Sequence, residues 1–472
     1  MFIARVQSMK LLALTAAISC ALACATVAQA RPVIPGAAGY GMDTVAGRGG
    51  TVYRVTNLNA SGTGSLKACI DGTKPRVCVF EVSGTIHITK DLKIANSKIT
   101  IAGQTAPSPG ITLRGAALQI QASDVLVQHL RVRAGDDKNG PDPDNRDSLK
   151  IEGSSSKPVK NIVIDHCTFS WAIDELASVW GPNDNITFSN NIFSEPLNES
   201  IHPNDNGNGI EKHGFGVLIG SSSSGGRVTM TGNLFAHIVE RNPLSRAREF
   251  VFVNNLVYNR AYLDLNIATQ DDRTTKSAVQ GNVFVRGPNY NRPTKPVYIM
   301  TSGTWGLTNS SRVFVKDIAA PSSGTPISAA VSQAGGSISS LLQTSTTPVW
   351  NTGLTARSTA NNAVYNRVLQ YAGARPTDRD SVDKRVVQNV KSRNGQIINC
   401  VASNGSTRCQ KNGGGWPTLA QRTRKLTLPS NPSSVASNGY TNLENWLHSM
   451  DQTLQGVTAA VSPTSPAALS AR

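Results

Sequence analysis

Six stretches of this 472-residue chain repeat one apolar pattern in a single register, and few folds can accommodate that. They are V-L-V-Q-H-L-R-V from Val125, I-V-I-D-H-C-T-F from Ile162, I-T-F-S-N-N-I-F from Ile186, V-T-M-T-G-N-L-F from Val228, F-V-F-V-N-N-L-V from Phe250 and S-A-V-Q-G-N-V-F from Ser277. One column through them reads Leu130, Cys167, Asn191, Asn233, Asn255, Asn282, at spacings of 37, 24, 42, 22 and 27 residues. Such spacings describe a coil of about 22 residues that carries excursions of varied length. An asparagine recurring at one bend can hydrogen-bond backbone in the coils above and below, while the apolar columns fill the interior. The expected fold is all-β: a right-handed parallel β-helix, a solenoid with an N-terminal cap and an irregular, partly helical C-terminal extension.

The rest of the chain is placed around that stack. Residues 1–30 carry Arg5 and Lys10, an apolar run from Leu11 to Val27, and Ala28-Gln29-Ala30, the pattern of a cleaved secretory signal. The mature protein is expected to be secreted, extracellular or periplasmic, with no membrane span and as a monomer. The β-helix is expected over 31–290, an extension packed on it over 291–455, and a disordered tail over 456–472. Gly39 to Gly50 is glycine-rich, and the amphipathic G-S-L-K-A-C-I-D-G is suited to cap the open end of the stack. Helices are expected at Asn362 to Ala372 and Ser381 to Lys391. Export would allow disulfides, and Cys69 with Cys78 and Cys400 with Cys409 are spaced to bridge short loops; Cys167 is left as a small buried apolar residue.

Charge narrows the partner. The net charge of +16 falls to +14 without Arg5 and Lys10, and an excess this large favours polyanions. The basic residues are scattered, and an exported protein seldom meets nucleic acid, so an acidic polysaccharide is the expected partner.

Coils are constrained by stacking, so side chains for chemistry belong on the excursions. Ala134 to Ser148 holds five aspartates in a basic protein, which is costly without a cation or basic neighbours. Asp174 and Glu175 lie seven and eight residues past the column at Cys167, and Arg241 lies eight past Asn233. Near-equal offsets place them on one face, two coils or roughly 10 Å apart, room for a metal ion and a sugar carboxylate. Lys212 lies on the excursion between them. His213 and His237 are candidate bases, and His166 belongs to a structural Asp-His turn.

Several stretches together resemble the pectate lyases of the first polysaccharide lyase family and related bacterial proteins. They include A-G-R-G-G-T-V-Y-R-V-T-N-L-N-A-S-G-T-G-S-L, T-I-A-G-Q-T-A-P-S-P-G-I-T-L, D-H-C-T-F-S-W-A-I-D-E, H-G-F-G-V-L-I-G, R-N-P-L-S-R, A-G-A-R-P-T-D-R-D-S-V-D and Y-T-N-L-E-N-W-L, spread from about Gly39 to Gln452. The resemblance implies calcium-dependent cleavage of polygalacturonate by β-elimination. It implies Asp147 and Asp174 as calcium ligands, with Glu175 a candidate third, Arg241 as the catalytic base, and Lys212 and Arg246 as catalytic and substrate-binding cations, with His213 beside them. Leu244 stands where the family more often carries an arginine.

The chemistry explains the residue types. The C5 proton of a uronate is held back by the neighbouring carboxylate's charge, so a cation and positive side chains must offset that charge while a base removes the proton. Methylated pectin or another uronan remains an alternative substrate, and a non-catalytic β-helix that binds polysaccharide an alternative role. A glycoside hydrolase would want a pair of acids with no need for Arg241 or a metal.

Overall fold

The structure is a computed structural model that describes residues 31–220, 226–291, 295–320, 331–334, 337–343, 353–401 and 413–457. The signal segment 1–30, Cys409 and the tail from 458 lie outside the described residues. Among the described residues no helix is long and apolar enough to cross a membrane.

Parallel strands stack coil upon coil in three columns. In the first, Val125–Gln128, Val159–Asp165, Asn183–Ser189, Arg227–Thr231, Glu249–Val253 and Lys276–Val285 follow one another. The second holds Leu130–Arg133, Thr168–Ser170, Ile192–Ser194, Leu234–Ala236 and Leu256–Tyr258. The third runs from Leu92–Ile94 through Leu149–Glu152, Glu175–Trp180 and Phe215–Ile219 to Val331–Ala334. Register matches the sequence repeat row by row: Val125 faces Ile162, then Ile186, Val228, Phe250 and Ser277.

Between the first two columns the chain must turn sharply, and the residue there is always left-handed. His129, His166, Asn190, Gly232, Asn254 and Gly281 all have φ between +47° and +70°. Asparagine and glycine tolerate that conformation best, which accounts for their recurrence. The next residue forms the ladder. Asn233 Oδ1 accepts from the Asn191 backbone N–H (2.9 Å) and side chain (3.0 Å), and its Nδ2 donates to Phe188 O (3.0 Å). Asn191, Asn255 and Asn282 repeat the arrangement, and the ladder ends where Asn282 faces Ile318. Inside the bend Phe169, Phe193 and Phe235 stack at 5.5 and 5.1 Å between centroids.

The boundary expected at 290 falls inside the stack. Arg312–Ala319 pairs with Lys276–Val285, and Val297–Met300 continues the third column on Leu265–Ile267. The periodicity was hidden because Ile318 replaces the ladder asparagine and polar excursions interrupt the strands.

Helices then clothe the outside. Ala363–Tyr371 and Ser381–Ser392 set Val364, Val368, Val386 and Val390 against Ile192, Leu234 and Leu256 of the second column. Arg133, wholly buried, donates to Asp380 Oδ2 (2.7 Å) and Asp383 Oδ1 (2.9 Å) at the start of the latter helix. A third helix, Asn442–Gln455, opens on a capping box between Thr441 and Glu444 and packs Leu443 and Leu447 on Val77, Val79 and Ala102 of the first coils. Arg422–Thr423 adds an antiparallel rung to Val82–His87. At the N-terminal end, Leu66–Ile70 covers the stack and the Cys69–Cys78 disulfide joins it to the first coils. Cys167 is buried and free.

Candidate active site

The third column builds the site because Glu175 faces Phe215 and Phe215 bridges Glu240 on three successive coils. Asp174 precedes the first of these and Arg241 follows the last, so near-equal offsets in the sequence bring them to one wall. Arg241 has φ of +61°, a conformation that costs energy for a residue with a side chain. Its carbonyl accepts from Val217 N–H (2.7 Å), an approach that requires Gly216: a Cβ there would lie 2.3 Å from Arg241 O.

Asp147, Asp174 and Glu175 present carboxylate oxygens within 4.8 Å of one another. Asp147 is buried, accepts from Glu175 N–H (3.1 Å) and from Ser178 Oγ, and its carboxyl is held well above the usual range by burial and by the charge of Asp174. Glu175 forms an ion pair with Arg241, whose guanidinium lies 4.3 Å from the Phe215 ring centroid. Burial brings the Arg241 guanidinium down to about 10; Arg246 pushes the same way and the Asp174 and Asp147 carboxylates pull against them. The acidic excursion finds its basic neighbour in Arg146, which donates to the carbonyls of Pro141 (2.9 Å), Gly135 (3.2 Å) and Asp137 (2.7 Å) and so fixes the loop that delivers Asp147.

Other expected residues are placed less uniformly. His213 Nε2 lies 2.9 Å from Asp174 Oδ1, misaligned for a hydrogen bond, while Nδ1 donates to Glu211 Oε1 (2.8 Å). Burial disfavours its cation, but Asp174 and Glu211 more than offset that and raise its proton affinity, which suits it to hold an anion rather than to act as a base. Arg246 is flanked by the exposed rings of Trp180 and Trp305, at 5.2 and 5.0 Å. Lys212 points away: its side chain is 72% exposed and pairs with Glu199 (2.6 Å) on the same excursion. Sequence reasoning missed His202, whose ring stacks on His213 at 3.9 Å, and the two tryptophans. Trp180 ends the strand that begins at Glu175, a position the register would have revealed.

His237 cannot serve the groove. It is wholly buried, and Asn259 Nδ2 donates to its Nδ1 (2.8 Å). Burial lowers its pKa to about 4. Below pH 6.5 the unfolded chain takes up a proton that the folded one refuses, so stability is full above 6.5 and is lost as pH falls toward 4. About 3 kcal/mol should go over that interval. Urea unfolding of the parent and of His237→Gln across pH 4 to 7 checks this: the variant should show a shallower loss, and parallel curves would remove His237 as the cause.

A family model described as pectate lyase matches residues 8–313. Among curated proteins, a probable pectate lyase C of Neosartorya fischeri is 31% identical over 434 residues, 88% of this chain and 93% of that protein. A probable pectate lyase C of Aspergillus terreus is 32% identical over 432 residues, with the same coverages. Among solved structures, jun a 1, the major allergen from cedar pollen, aligns with a TM-score of 0.49 at 18% identity, covering 71% of this chain and 92% of that chain. The family model spans most of the parallel coils and the whole carboxylate–arginine wall, and the chain belongs to the pectate lyase family, enzymes that cleave polygalacturonate.

Proposed function

We propose that this lyase works by calcium-dependent β-elimination with Arg241 as the proton acceptor, after export from the cell. The observation that carries the reading is the Arg241 guanidinium, half-buried on the coil wall, paired with Glu175 beside the carboxylates of Asp147 and Asp174, and lowered to about 10. Arginine in water is a negligible base; each unit of lowering raises its neutral fraction about tenfold.

The donor set fits calcium. Asp147, Asp174 and Glu175 offer only hard oxygen ligands within 4.8 Å of one another, and burial and the charge of Asp174 disfavour the Asp147 carboxylate until a cation joins them. Bound there, calcium would neutralise the uronate carboxylate and acidify the proton at C5. Arg246, held between Trp180 and Trp305, grips a uronate carboxylate while the rings flank the sugar. His213 adds positive charge beside Asp174, and Lys212 reaches substrate from the rim only after leaving Glu199. Arg241 takes the C5 proton, the C4–O bond breaks as the C4–C5 double bond forms, and the departing oxygen takes a proton from water. The Cys69–Cys78 disulfide supports an oxidising destination.

On polygalacturonate, ultraviolet absorbance from the new double bond is expected to rise, to stop in excess chelator and to return with calcium. Asp174→Ala should raise the calcium needed for half-maximal rate. Turnover unchanged in chelator would remove the metal from this mechanism.

A further inference from the structure

The left-handed bend that places the asparagine ladder carries histidines on two successive coils, away from the carboxylate–arginine wall. His129 and His166 stack at 5.2 Å and 13°, and Asp451 of the helix Asn442–Gln455 closes over them. One nitrogen of each ring, with an Asp451 oxygen, forms a group whose atoms all lie within 4.8 Å of one another. The three residues are at least nine-tenths buried.

The other ring nitrogens are already committed. His129 Nδ1 donates to Ala374 O (2.6 Å) and His166 Nδ1 donates to Asp165 Oδ2 (2.8 Å). Asp165 is itself fixed by Gln128 (3.0 Å), Ser189 (2.7 Å) and Asn190 (3.1 Å). With each Nδ1 so engaged, Nε2 is the ring atom left to face a cation, and the outer partners are of the kind that orient metal-ligating histidines. His129 Nε2 is hydrogen-bonded to Asp451 Oδ1 (2.8 Å), which also accepts from Gln455 Nε2 (2.8 Å), and an ion would replace the first of these contacts; His166 Nε2 is buried with no hydrogen-bond partner among the described residues.

Charge points the same way. With neutral imidazoles the buried carboxylates of Asp165 and Asp451 have Arg367 as the nearby cation, and a divalent ion would supply the remaining balance. Without an ion, a proton on His166 Nε2 would be buried with no acceptor among the described residues, an arrangement that burial makes costly. We infer that His129, His166 and Asp451 bind a divalent transition-metal ion of the zinc type, tying the C-terminal helix to the coils. Nitrogen ligands favour zinc over calcium, and bonds of about 2.0–2.1 Å ask the group to close by roughly an ångström. A cavity of about 560 Å³, lined in part by His166, Asn190, Arg367 and Asp451, adjoins two of the three ligands and offers the ion a way in.

Cobalt(II) titrated into calcium-saturated, chelator-treated protein at pH 7.5 tests this, because calcium occupies the oxygen site and gives no visible spectrum. Expected are one equivalent of tight binding, visible d–d absorption, and displacement by zinc. Zinc at about a hundredfold excess over its Kd should raise the melting temperature by roughly 3 °C. Asp451→Asn and His166→Gln should each lose both effects, while Asp174→Ala keeps them. Should His166→Gln fail to fold, Asp451→Asn decides. No cobalt spectrum in the parent, or a spectrum unchanged in the folded variants, overturns the assignment and leaves the cluster as an ion-pair network.

Discussion

Arg241→Lys is expected to lose about 10² to 10⁴ in turnover on polygalacturonate while still binding substrate and calcium. The size of the loss does not follow from base strength: lysine's ordinary pKa of about 10.4 is close to the value Arg241 reaches by burial. It follows from shape. The guanidinium is a planar fork, paired with Glu175 and set against the Phe215 ring, with its backbone locked by the approach of Gly216. A lysine brings one compact ammonium on a flexible stem and holds neither the pairing nor the aim. Steady-state rates, with polygalacturonate affinity measured separately, check the split. Near-parent turnover in Arg241→Lys, together with a dead His213→Ala, would move the base to His213.

Asn233→Leu should be the most damaging change outside the groove, by about 3–6 kcal/mol, with Asn255→Leu close to it. Leucine matches the volume but strands the backbone N–H of Asn191 and the carbonyl of Phe188 inside the stack, at about 1–3 kcal/mol each, and breaks the link to Asn255. Against a stability of about 5–15 kcal/mol that threatens folding itself. Thermal melts followed by far-ultraviolet circular dichroism decide; variants that melt with the parent would show that the ladder is idle.

The ladder was legible because it rests on a local rule. A left-handed bend wants asparagine or glycine, the next position wants a side chain with donor and acceptor, and both recur in one register. The same register carried Asp174, Glu175 and Arg241 to one wall, since near-equal offsets on stacked coils mean neighbouring places in space. Where the chain leaves the coils that arithmetic fails. Lys212 sits on a long excursion, and nothing in its neighbours says that Glu199 would turn it outward. The stacking of His202 on His213, and the choice of Glu175 as partner of Arg241, depend on contacts between segments whose approach is set by packing rather than spacing. The coils past 290 were hidden for the converse reason: they keep the strand pairing but drop the asparagine that announces it. The helix Asn442–Gln455 was equally unforeseen, although Thr441 and Glu444 spell its capping box.

That helix changes what kind of object the stack is. Coils that touch only their neighbours form a row, and a row peels from whichever end is weaker. Here the helix Asn442–Gln455 is fastened to the first coils through Leu443 and Leu447, with Arg48 paired to Glu444 at 2.8 Å. The first coils are then no loose end from which fraying can begin, and heat, denaturant or a protease must lift that helix before the row can unwind from them.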